Sequence, residues 1–108
     1  GKDAPRFIDY ILQIDKQGNI VGKYESSIAA AQAVNGSSSH ILCCIKTWKG
    51  ESNHQNGYEV HRYYHKDYQW IYEKDYNLLK DYWDFSTVRS KYKPFITTQN
   101  YMEYTKGL

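Results

Sequence analysis

No stretch of this 108-residue chain approaches the roughly 18 consecutive apolar residues of a membrane-spanning helix, and the N-terminus lacks the charged-then-apolar layout of a signal peptide. A water-soluble chain with no membrane partner is expected. Cysteine is scarce as well. The two present, Cys43 and Cys44, are adjacent and cannot build a disulfide framework, so the expected compartment is the reducing cytoplasm. A dominant charge is also missing: 14 Lys and Arg against 12 Asp and Glu leave a net +2. Dedicated nucleic-acid-binding domains have a pI above about 9, so any contact with nucleic acid here must rest on where the charges sit. In place of an initiating methionine stands Gly1, which reads as a tag remnant or linker over residues 1–7, or as the start of a fragment.

What the chain has instead is aromatic weight: 12 Tyr, 3 Trp and 3 Phe. Tyrosine carries a polar tip that wants water or a partner, so a thin, aromatic core is expected in one domain. Ile8, Tyr10, Leu12 and Ile14 alternate with polar residues, broken only by Ile11, and "NIVGKYE" follows a Gly18-Asn19 turn. Residues 8–25 therefore read as a β-hairpin. Ser26 or Ser27 can cap a helix carrying Ile28, Ala31 and Val34, which Asn35-Gly36 stops. Ser37 or Ser38 can cap a second, over 38–48, with Ile41, Cys44, Ile45 and Trp48 turned inward. Residues 50–57 read as a polar loop and "YEVHRYYH" as a closing strand. A helix over 72–84 with Tyr72, Tyr76, Leu79 and Trp83 on one side follows, with "YQWIY" as a short extended lead-in and a turn of helix after Ser86. The expected class is α+β: a β-hairpin, a helix-turn-helix, a closing strand and a C-terminal amphipathic helix. Residues 8–66 form the helix-turn-helix module, and 67–108 an aromatic extension packed on it.

Ser27 to Lys46 fits the helix-turn-helix template. A small residue, Ala31, allows the helices to cross closely; Asn35 permits the bend; Ala30, Val34, Ile41 and Cys44 fill the apolar positions. Gly36 departs from it, standing where an apolar residue is usual. With the second helix buried along Ile41, Ile45 and Trp48, a step of about 100° per residue turns Ser39, Cys43 and Lys46 outward, with Leu42 and Thr47 on the flanks. Short side chains there suit a helix lying in the DNA major groove, and its capped N-terminus suits a phosphate. A serine-capped helix in a small α+β core with a solvated polar face has the same pattern.

"ILQIDKQGNIVGKYESSIAAAQAV", "SSHILCCIK" and "NGYEVHRY" together resemble the nuclease-associated modular DNA-binding domain of the first type, the intron-encoded nuclease repeat. The likeness spans about residues 8–63. Asn56 replaces the first glycine of the family's pair, and Val60 stands where tryptophan is usual. The resemblance implies a module that holds double-stranded DNA beside the catalytic domain of phage and bacterial homing endonucleases, with a nuclease domain in the full-length protein as a possible partner. A prophage origin fits the same picture. Ser38, Ser39, His40, Cys43, Lys46, Thr47, Lys49 and Arg62 are the candidate DNA-contacting residues, with Lys46, Lys49 and Arg62 on phosphates.

No catalytic residue, metal or cofactor is expected, and so no enzyme. His61 and His65 on one strand face stand about 13 Å apart, too far to share an ion. His40 and His54 lack acidic or histidine neighbours at ligand spacing, and vicinal cysteines on a helix point about 100° apart. The alternative is a protein-interaction module of phage or prophage origin whose tyrosine-rich surface docks a partner.

Overall fold

The computed structural model describes residues 7–51, 54–55, 58–59, 62–87, 97–99, 101 and 103. Asp15 makes the first reversal: its carboxylate accepts from the Gln17 and Asn19 amides, and Gly18 takes a φ of 87° that other residues adopt at a cost. This turn joins β1 (Ile11–Ile14) to β2 (Ile20–Tyr24) as an antiparallel hairpin. Gly22 lets the Gln13 side chain cross β2 to the Tyr24 hydroxyl, which donates to it at 2.7 Å; a Cβ on residue 22 would stand 2.5 Å from Gln13 Oε1.

The chain is α+β, and one of the two inner strands of its main sheet is a stretch expected only as a lead-in to a helix. Tyr68–Tyr72 forms β6, paired antiparallel with β1 on one side and with β5 (Tyr64–His65) on the other, in the order β2-β1-β6-β5. The division expected after residue 66 falls in the two-residue turn, Lys66-Asp67, that links β5 to β6. Because β1 lies inside the sheet with side chains packed on both faces, all four of its residues are buried, Ile11 included. The alternation expected from Ile8 fails upstream, where Ile8 and Tyr10 are exposed before the strand begins.

One face of the sheet, through Ile11 and Trp70, packs on α1 (Ser27–Val34) and α2 (Ser38–Lys49) by way of Ala30, Ala31, Ile41, Cys44 and Ile45. The other, through Leu12, Ile14 and Ile71, packs on Trp48, Tyr63, Leu79 and Phe85. Leu79 belongs to α3 (Glu73–Leu79), shorter than the 72–84 helix expected, and a 3-10 turn at Phe85–Thr87 contains Ser86, where a turn of helix was expected to follow that residue.

The expected closing strand over 58–65 is divided. Tyr58–Glu59 (β4) pairs with His54–Gln55 (β3), inside the stretch read as a loop, while residues 64–65 join the main sheet. A two-residue ladder needs no apolar period, so composition does not announce it. Val60, His61, Asn56 and Gly57, residues 1–6 of the expected tag or linker, and most of 88–108 lie outside the described residues.

Candidate nucleic-acid interface

Both helices carry the caps their sequences promise. Ser26 Oγ accepts from the Ala29 amide and Ser37 Oγ from the His40 amide, each satisfying a donor that the first helical turn leaves over. Asn35 closes α1 at a φ of 54°, with the Gly36 amide reaching back to the Ala31 carbonyl. Gly50 closes α2 at a φ of 81°. Beyond it the Thr98 and Gln99 amides donate to the Trp48 and Lys49 carbonyls, so both ends of α2 are tied down.

The open face of α2 is a narrow ridge of Ser39, Leu42 and Lys46, with Ser38 and Lys49 half-buried along its side. Two residues expected there are not. Cys43 is 3% exposed and Thr47 5%. The cause is the segment leading into β5: the Arg62 amide donates to Thr47 Oγ1 at 3.2 Å, and that hydroxyl donates to the Cys43 carbonyl at 3.1 Å. That segment thus closes one side of the helix, and the open arc turns by roughly 35° toward Leu42 at 100° per residue. Burial pushes the Cys44 thiol far above the usual range, leaving it an inert core group.

Of the cations, Lys46 projects freely: it has no ion pair among the described residues. Lys49 is 3.6 Å from the buried Asp75 carboxylate, with its ammonium over the Tyr72 ring. Burial raises the Asp75 pKa, and Lys49 and Thr98 draw it back. Arg62 is half-buried, its Nε without a hydrogen-bond partner among the described residues. His40 is half-buried, its ring edge-on to His65 at 5.0 Å. Beside the ridge runs a groove of about 380 Å³ walled by Ile8, Leu42, Ile45 and Tyr72, in which Lys46, Lys49 and Lys74 face Asp9, Glu51 and Asp75. It continues past Ile28, 54% exposed.

Sequence reasoning missed His65. Its Nε2 accepts from the backbone amide of Ser37, the α2 cap, at 2.9 Å, while its carbonyl accepts from Trp70 Nε1 at 3.0 Å. The signal was Gly36, the residue at odds with the template: a Cβ there would stand 2.6 Å from His65 Nε2.

Among the described residues no three His, Cys, Asp or Glu gather as metal ligands, and no helix is long and apolar enough to cross a membrane. Compared with protein-family models, with curated proteins and with solved structures, the chain matches none.

Proposed function

We propose that this chain is a DNA-binding accessory module of a homing-endonuclease-like or phage protein, laying α2 against duplex DNA without chemistry of its own. The observation that carries the reading is the ridge on α2. A helix held at both ends, crossed closely by α1 over the buried Ala30 and Ala31, keeps Ser39, Leu42 and Lys46 open along its length. Ser39 is short enough for close approach to base edges, Leu42 offers an apolar contact for a thymine methyl, and Lys46, with no ion pair among the described residues, offers a cation to a phosphate. Lys66, exposed beyond His65, extends the positive charge past the N-terminal end of the helix. Cys43 and Thr47 take no part, and Lys49 and Arg62 act first as structural groups.

The test is a map of amide chemical shifts as a duplex oligonucleotide is added to the full chain. Ser39, Leu42 and Lys46 should move while Ile20 and Val21, on the far edge strand, stay in place. Shifts confined to β2, or none, reject the reading.

A second reading, a protein-interaction module, is favoured by one feature: Ile28 and Leu42 are exposed together beside a groove whose charges balance. It expects Lys46→Glu to leave the native protein's activity intact and Ile28→Asp to abolish it, the reverse of what DNA binding expects.

A further inference from the structure

We infer that His65 is the positioning residue of α2, a pH-sensitive clasp whose neutral imidazole grips the Ser37 amide and whose protonation lets the N-terminal end of the helix go. The regulatory part of this inference rests on the DNA-binding reading; the clasp itself does not.

The geometry fixes the chemistry. An imidazole nitrogen that accepts from an N–H carries no proton, so with Nε2 facing the Ser37 amide at 2.9 Å the ring proton must sit on Nδ1. A second proton converts Nε2 from acceptor to donor and sets two donors against each other. The bond is then lost, and a cation is left at the positive end of the α2 dipole.

Little can relieve that clash by movement. The ring is hemmed by Gly36, where even a methyl group would strike Nε2, and by the His40 ring at 5.0 Å, while the Trp70 indole holds the His65 carbonyl. The clasp also bears on the face proposed to meet DNA. Ser37 is the cap: its hydroxyl accepts from the His40 amide and shares a 2.9 Å hydrogen bond with Ser39, the first residue of the ridge.

The charged surroundings oppose protonation from several directions. His40 faces the ring from α2, Arg62 from the segment before β5 and Lys66 from the turn after it. Tyr68 is the neutral partner across the hairpin, and Asp67, the nearby acid, is turned outward to Lys16. The α1–α2 turn, Asn35 to Ser37, contributes no titratable group. Burial, with His40, Arg62 and Lys66 behind it, lowers the His65 pKa below the usual 6.5. The sign follows: the unfolded chain takes up the proton first, so the clasp contributes fully above about pH 6.5 and is lost as the pH falls through the lower native value.

The experiment is a pH titration of the full chain that follows the His65 ring nitrogens and the exchange protection of the Ser37 amide by NMR. The Nδ1–H tautomer is expected at pH 8, with Ser37 protection falling at least tenfold as His65 titrates. In His65→Gln, whose Oε1 can reach the place of Nε2 but does not titrate, Ser37 should stay protected throughout. In Gly36→Ala, which evicts the ring, it should be unprotected at every pH. An Nε2–H tautomer, or Ser37 protection indifferent to the titration, overturns the clasp. Duplex affinity measured on the same samples separates the two ideas. Loss of wild-type affinity relative to His65→Gln across the same pH range supports the regulatory role, and equal affinity in the two proteins overturns it. No DNA binding at any pH, with Ser37 still released, sinks the DNA reading and leaves the clasp standing.

Discussion

Thr47 illustrates how one hydroxyl can exclude a residue from an interface. Its oxygen accepts from the Arg62 amide and its proton goes to the Cys43 carbonyl, so it joins α2 to the segment entering β5 from a position 5% exposed. Thr47→Val keeps the shape and removes both bonds, stranding a backbone N–H. A loss of about 1–3 kcal/mol in urea unfolding is expected, with duplex affinity at neutral pH unchanged as long as the protein stays folded. Retention of full stability would show that the Arg62 amide finds water instead. At this scale the caps were legible, since Ser26, Ser37, Asn35 and Gly50 each have the side chain or backbone freedom that a helix end requires. The burial of Cys43 and Thr47 was not. Helical periodicity marks the side facing the main core and is blind to a second chain segment laid against the flank.

Among the elements, the β5–β6 hairpin shows where turn chemistry hides. Lys66 and Asp67 have φ values of 56° and 67°, so both central residues are left-handed, as in the tight two-residue turns that usually carry Asn-Gly. Lysine at such a position reads as an ordinary surface residue, and the "YQWIY" that follows has no alternation, because its centre is buried on both faces of the sheet. With neither signal, the strand passed for a lead-in to a helix. Replacing Lys66-Asp67 with Asn-Gly removes the left-handed strain at both positions. It costs only the Lys16 ion pair, both of whose members are well exposed. A gain of about 0.5–1 kcal/mol in unfolding free energy is expected, and a loss instead would mean that the turn is held by its side chains. The first hairpin and the two helices were legible for the opposite reason. Their turns use Gly18 and Asn35, and α2 buries the stripe of Ile41, Cys44, Ile45 and Trp48 that its period marks, whereas α1 buries Ala30 and Ala31 and leaves Ile28 exposed.

At the scale of the whole, the four-stranded sheet carries α1 and α2 on one face and α3 on the other among the described residues, and the helix pair packs on it through Trp70 and Ile11. This arrangement fits a module that presents one helix. The helix-turn-helix could be read from residues 27–46 alone because its contacts are local. The sheet could not be completed, because β1 finds β6 more than fifty residues away and only three-dimensional packing reveals the pairing. Charge was informative in a similar, limited way. A net +2 could not show that Lys49 is engaged by Asp75 while Lys46 stands clear on the ridge. The measurement that bears most directly on the account is duplex affinity of the full chain at pH 7.5 as salt rises from about 50 to 200 mM. Binding through two or three cations predicts a slope of log K against log salt of about −2 to −3, reduced by about one in Lys46→Ala. Affinity that ignores salt, or a slope the substitution leaves unchanged, would contradict the placement of α2 against DNA.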